Sequence, residues 1–343
     1  MTGAAAAERT IDCECHAAVP ALADLLAYMP EGWAERFRRT AFVLPSGGIH
    51  PGGGSAAAAT DAGALAASLP EGVIATVLVP HQVMHVANWT DTKLCSVYAS
   101  ALNRYFLDHW LPVDPRFRLA LAISPHEPAL AAAEIRAHAA KPGVVAIAMP
   151  MLAPHFGHWH YRPILEAAAE CGLCVIVHPG GKEGTITGTP VLGGIGPRHA
   201  GEYHALIWQI AGVNISSLIY DGVFVDLPDL KVVFAGFGFD WAPPVLWRLN
   251  AEWRAHRIDI PWVTEPPAYY MARNIRLIAS PVSGPPVELV RHLAGLLPDS
   301  VLLYGSNYPF AAQDEKIVLD AMPVGLRERV AHKNAAATFG IAC

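Results

Sequence analysis

No apolar run in this chain is long enough to cross a bilayer. The longest nearly continuous one, Val144 to Ala153, falls well short of the roughly 20 residues that a membrane helix needs. A basic stripe is also missing. Its 24 Lys and Arg stand against 30 Asp and Glu, a net charge of −6, which argues against a nucleic-acid or anionic-membrane partner. Charged residues make up only 16% of the 343, whereas 53% are apolar, enough to bury a large core. A second cysteine pair is lacking too: Cys171-Gly-Leu-Cys174 stands alone among six cysteines, so core thiols are expected rather than a zinc framework. The Ala-rich start has neither the basic opening nor the apolar centre of a signal peptide. Residues 1–9 therefore read as a disordered tail and 10–343 as a single domain working in the cytoplasm, since no repeat or composition break divides the chain.

What the chain does have is a relay of short apolar runs and amphipathic stretches. The runs are Thr10 to Cys15, Val73 to Pro80, Arg118 to Ser124, Val144 to Met149, Leu173 to His178, Lys231 to Ala235, Ile275 to Ala279 and Ser300 to Tyr304. They show little alternation, as expected of parallel strands covered on both faces. Helical stretches such as Leu94 to His109, Pro128 to Ala139, Arg162 to Cys171 and Pro243 to His256 lie between them. This order implies an α/β fold, a (β/α)8 barrel. Two Gly-rich segments, Pro45 to Ala59 and Gly180 to Gly201, interrupt it after the first and fifth strands. Both are expected as loop insertions over the C-terminal mouth, where they would serve as lids.

Barrels place their chemistry at strand C-termini, so the polar residues there are the candidates. Glu14 and His16, two apart on the first strand, face the same side. His178 ends the fifth strand and Asn307 follows the eighth. Two imidazoles, a carboxylate and a further position suit Zn²⁺ or Mn²⁺. His81, just after the second strand, is the best placed of the other histidines, ahead of His158, His160, His199 and His204.

Five serial motifs carry a family resemblance: Ile11-Asp12-Cys13-Glu14-Cys15-His16; Ile176-Val177-His178-Pro179-Gly180; Gly222-Val223-Phe224 with Pro228 to Phe234; Gly305-Ser306-Asn307-Tyr308-Pro309; and Asn334-Ala335-Ala336 with Phe339-Gly340. In this order they resemble the amidohydrolase-related family, which includes aminocarboxymuconate-semialdehyde decarboxylase and the gamma-resorcylate-type decarboxylases. The resemblance implies a metal held by Glu14, His16, His178 and the position of Asn307. It also implies a homodimer, for which the Trp-rich stretch Trp247 to Trp253 offers an apolar face.

Two departures bear on the chemistry. The family has a metal-bound, proton-moving aspartate where this chain has Asn307, and decarboxylase members have a histidine near Gly236. An amide oxygen still binds a hard cation, but it takes up no proton near pH 7. Proton transfer is then expected from Glu14 or His81. Glycine in place of histidine frees volume, and Phe237, Phe239, Trp241, Tyr308 and Phe310 are expected to line an aromatic pocket, with Arg248 as a carboxylate anchor or a helix-surface ion pair. The leading expectation is a metal-dependent enzyme acting on an aromatic or conjugated carboxylic acid, by decarboxylation or a related C–C or C–N cleavage. The alternatives are a repurposed, metal-free barrel enzyme (cyclase, dehydratase or isomerase) and a non-catalytic binding protein. In each case the partner is a small molecule.

Overall fold

The computed structural model describes residues 8–40, 42–46, 58–180, 199–281, 286–310 and 314–342. Eight parallel strands follow one another in chain order around a barrel: β1 (Thr10–Ala17), β2 (Val73–Pro80), β3 (Phe117–Ala122), β4 (Val144–Pro150), β5 (Cys174–His178), β6 (Val232–Phe234), β7 (Ile275–Ile278) and β8 (Leu302–Leu303). Helices cover the outside, among them α1 (Thr92–His109), α2 (Pro128–His138), α3 (Arg162–Glu170), α4 (Trp208–Tyr220) and α5 (Ala242–Ala255). The fold is a (β/α)8 barrel. Among the described residues no helix is long and apolar enough to cross a membrane.

The local reasons are ordinary. The strands are Val, Ile, Leu and Ala runs buried on both faces; Val175, Ile176, Val177, Val233 and Phe234 are wholly inaccessible. Helices begin where the backbone is prepared for them. Asp91 accepts a bond from Leu94 N to cap α1, and proline occupies the first turn of α2, α3 and α5.

Closure of the barrel joins the first strand to the last. β8 itself is short, but the extended chain beyond it continues the pairing: Cys13 N donates to Tyr304 O at 3.0 Å and His16 N to Tyr308 O at 2.8 Å. The final motif of the sequence supports this seam, because Asn334 Nδ2 donates to Leu302 O and Asp299 O. β1 is also irregular. Asp12 pairs with Thr76 and Cys15 with Leu78, so β1 carries one extra residue over this stretch and bulges.

Of the expected lids, residues 47–57 and 181–198 lie outside the described residues. The first segment does not follow a strand directly, because the helices Leu22–Leu26 and Glu31–Arg39 come between it and β1. Its far end returns to the mouth, where Ala18 N donates to Ala59 O at 2.8 Å. In the expected tail, Met1 to Ala7 also fall outside; Glu8 takes two bonds of 2.7 Å from Arg327.

A buried latch fixes the seam. Asp12 Oδ1 accepts from Glu14 N (3.1 Å) and Ser306 N (2.8 Å), and its Oδ2 accepts from Ser306 Oγ (2.6 Å). Asp12→Ala strands buried donors, so it is expected to lower unfolding stability by roughly 2–4 kcal/mol, and Ser306→Ala by about 1 kcal/mol. Urea denaturation midpoints at unchanged slope check both.

Candidate metal centre

The barrel seam and the end of β5 bring Glu14, His16, His178 and Asn307 to one point. Glu14 Oε1 lies 3.5 Å from His16 Nε2 and 3.3 Å from His178 Nε2. His16 Nε2 also lies 3.1 Å from Asn307 Oδ1. The potential ligand atoms of Glu14, His16 and His178 all fall within 4.8 Å of one another. Asn307 reaches the cluster because its backbone is left-handed, with φ of 51°. Asparagine is among the few side chains other than glycine that take this conformation at small cost.

Proton positions decide what such a cluster can hold. His178 Nδ1 lies 2.8 Å from Pro179 O, a pure acceptor, so Nδ1 carries a hydrogen, and Nε2 on the other side of the ring lies toward Glu14. Glu14 is wholly buried, and among the described residues neither of its carboxylate oxygens has a hydrogen-bond partner. Burial pushes the Glu14 carboxyl up, but His16 and His178 together outweigh this and hold it below its ordinary value. Burial also lowers His16, which favours the neutral ring. An anion therefore sits between two imidazoles in a site without water's screening. That arrangement is costly alone and is relieved by a cation among the three side chains. The donor set, imidazole nitrogen with carboxylate oxygen, fits a first-row divalent ion.

His81 stands behind the cluster. Its Nδ1 lies 3.2 Å from His16 Nδ1, and both rings are buried. Phe310 packs against the two imidazoles, with centroids 5.3 Å from His16 and 5.0 Å from His81, and is 45% exposed, so it forms a wall open to solvent.

Several expected pocket residues sit elsewhere. Phe237, Phe239 and Trp241 are core, not lining: Trp241 stacks on Trp208 at 6.0 Å and donates to Phe237 O. The turn after β6 packs Phe237 against Phe234 and Trp241 against Trp208 of α4, where burial of their large apolar area outweighs display in a pocket. Arg248 is exposed roughly 9 Å along α5 from its mouth-side start, since each helical residue advances about 1.5 Å, and it anchors nothing in the cluster. His204 is exposed on the helix Ala200–Leu206, its ring against Tyr203. Tyr308 bridges to Cys15 through its backbone and packs beside Ala18 and Ala59. His160 donates to Pro125 O, while His158 and His199 are exposed. The Asp12–Ser306 latch was readable only as letters within motifs; its sole sequence signal is an acid two residues before Glu14.

The family described as Amidohydrolase matches residues 11–341. The chain belongs to the amidohydrolase family. No curated protein sequence matches it. Among solved structures it is similar to an amidohydrolase from Mycobacterium avium subsp. paratuberculosis (TM-score 0.71, 18% identity, 98% of this chain and 100% of that one). It is similar to 2,6-dihydroxybenzoate decarboxylase from Rhizobium (0.68, 15%, 97% and 99%). It also resembles 5-carboxyvanillate decarboxylase from Novosphingobium aromaticivorans, an aspartate-to-asparagine variant with bound manganese and 3-methoxy-4-hydroxy-5-nitrobenzoic acid (0.70, 16%, 97% and 97%). At these identities the likeness is one of amidohydrolase fold.

Gly236 guards the centre by having no side chain. Its φ is +81°, and a Cβ there would stand 3.1 Å from His178 Nε2 and 3.2 Å from Pro179 Cδ. Gly172 has a similar φ of +67° with nothing within 4 Å. Gly172→Ala is expected to cost about 1–2 kcal/mol for backbone strain alone. Gly236→Ala should cost more, because it also crowds His178, and thermal denaturation of the two variants side by side measures the difference.

Proposed function

We propose that this amidohydrolase is a divalent-metal-dependent enzyme that acts on an aromatic or conjugated carboxylic acid, by decarboxylation or a related C–C or C–N cleavage. The observation that carries this reading is the convergence of His16 and His178 on the buried carboxylate of Glu14, with Asn307 Oδ1 beside His16 Nε2. Glu14, His16 and His178 would hold Zn²⁺ or Mn²⁺, with Asn307 Oδ1 as a neutral fourth donor. When bound, the ion supplies Lewis acidity and a template for the substrate's oxygen atoms. The manganese-containing decarboxylases of the same fold support Mn²⁺ beside Zn²⁺ and favour benzoate-type acids.

The remaining roles fall to side chains around the ion. Phe310 offers an edge or face to a flat ring beside His16 and His81. His81 is the imidazole nearest the centre that is not itself a ligand, and it moves the proton that the amide of Asn307 cannot take up. Of the expected face Trp247 to Trp253, Trp253 is buried, and Trp247, about half exposed, is left as apolar surface for a homodimer. The described cysteines are free thiols and most are buried, which suits the reducing cytoplasm.

Metal analysis of protein purified without chelator is expected to give one Zn or Mn per chain. His16→Ala and His178→Ala should each lose the metal and all turnover of 2,6-dihydroxybenzoate or 5-carboxyvanillate, the first substrates to try. Activity that survives complete chelation would instead support the metal-free alternative. His81→Ala should keep the metal within a few hundredfold of the parent affinity and lower kcat by about 10²- to 10⁴-fold, the usual range for a proton-transfer group. Stopped assays of kcat and KM at saturating metal separate the two effects.

A further inference from the structure

We infer that Asp12 is a positioning residue for the metal centre. Its carboxylate fixes the spacing between the ligands on β1 and the ligand after β8, and so governs how tightly the centre holds an ion, separately from how firmly the barrel is closed. This rests on the reading that Glu14, His16, His178 and Asn307 take a divalent ion. Asp12 is not itself one of those ligands; it acts through them.

Three of the four candidate ligands hang from this carboxylate. Oδ1 accepts from the backbone N of Glu14 at 3.1 Å and from that of Ser306, the residue before Asn307, at 2.8 Å. Oδ2 accepts from Ser306 Oγ at 2.6 Å, and the same Oγ accepts from Tyr308 N, just beyond Asn307, at 3.1 Å. Asn307 is thereby held on both sides through one hydroxyl and one carboxylate. Tyr308 O in turn accepts from His16 N at 2.8 Å. A closed circuit of hydrogen bonds thus runs from Asp12 through Ser306 and Tyr308 to His16 and back along β1, with Glu14 and Asn307 inside it.

The strand ladder does not do this work here. The register of β1 shifts between Asp12 and Cys15, and β8 ends at Leu303, so Glu14 lies in a bulge and Asn307 beyond the last regular pair. The turn after β8 also runs hard against β1: a Cβ on Gly305 would stand 3.0 Å from Glu14 Cβ. A displacement of that turn therefore passes directly to the candidate carboxylate ligand. Asp12 and Ser306 are both buried, where bonds to an ionised carboxylate are short and strong. His178 comes from β5, so Asp12 sets where the other three stand relative to it. Metal–ligand bonds hold to within about 0.2 Å of their usual lengths, and loss of the groups that orient ligands commonly costs about 10- to 100-fold in affinity.

The test titrates the full chain with Zn²⁺ against a competing chelator, alongside urea denaturation of each variant. Asp12→Ala is expected to bind zinc about 10- to 100-fold more weakly than the parent. Asp12→Asn should stay close to the parent, because its amide oxygen still accepts from both backbone N–H groups and its NH2 donates to Ser306 Oγ. Ser306→Ala, which keeps the Ser306 N bond to Asp12 and costs less stability, should also weaken zinc binding; it carries the test if Asp12→Ala does not fold. Asn334→Ala is the control: Asn334 braces the same seam through Leu302 O and Asp299 O, so this variant should lower the denaturation midpoint and leave zinc affinity unchanged. Parent-like affinity in the Asp12→Ala and Ser306→Ala chains, or an equal loss in Asn334→Ala, overturns the positioning role and leaves the metal reading intact. An Asp12→Asn chain as weak as Asp12→Ala overturns it too, since charge rather than placement would then be what Asp12 supplies. A parent that binds no zinc overturns both.

Discussion

A carboxylate sealed away from water between two imidazoles is the constraint on which this molecule turns. Glu14 is inaccessible to solvent and lacks hydrogen bonds among the described residues, yet His16 and His178 hold it toward the ionised form. A group of this kind costs several kcal/mol unless a positive charge answers it. The barrel nevertheless builds toward that point from β1, from the end of β5 and from the turn after β8. No gain in folding stability explains such convergence; a bound cation does.

Position at the seam is what makes the site rigid. Closing eight strands requires the first and last to meet, and here they meet through extended chain beyond a two-residue strand. Asp12 ties Ser306 to the backbone of Glu14, so the same carboxylate that locks the barrel also sets the path of the strand bearing two of the candidate ligands. The bulge in β1 falls in this stretch, and it aims Glu14 and His16 inward. Fold closure and site assembly are one structural event.

Neutral groups stand at the positions where the family resemblance implies titrating ones. Asn307 keeps an oxygen toward the centre but neither holds charge nor takes up a proton. Gly236 puts no side chain beside His178 and leaves its Nε2 room to face Glu14. On the β2 side, the imidazole of His81 lies against His16.

The sequence by itself determined the barrel and its four candidate ligands. Runs such as Val73 to Pro80 and Val144 to Met149 have no polar face, and only a parallel sheet covered on both sides accommodates them. Glu14, His16, His178 and Asn307 were legible because strand ends in such a barrel share one rim, whatever their separation along the chain. Pocket lining was not legible. Phe237, Phe239 and Phe310 look equivalent as letters, yet the first two are packed in the core and the third stands beside the imidazoles. Arg248 and His204 likewise turned outward, because the phase of a helix relative to the barrel is set by packing. Only the tertiary structure decided the nitrogen that each histidine presents, since that depends on neighbours such as Pro179 O and His81 Nδ1, placed by folding rather than by spacing along the chain.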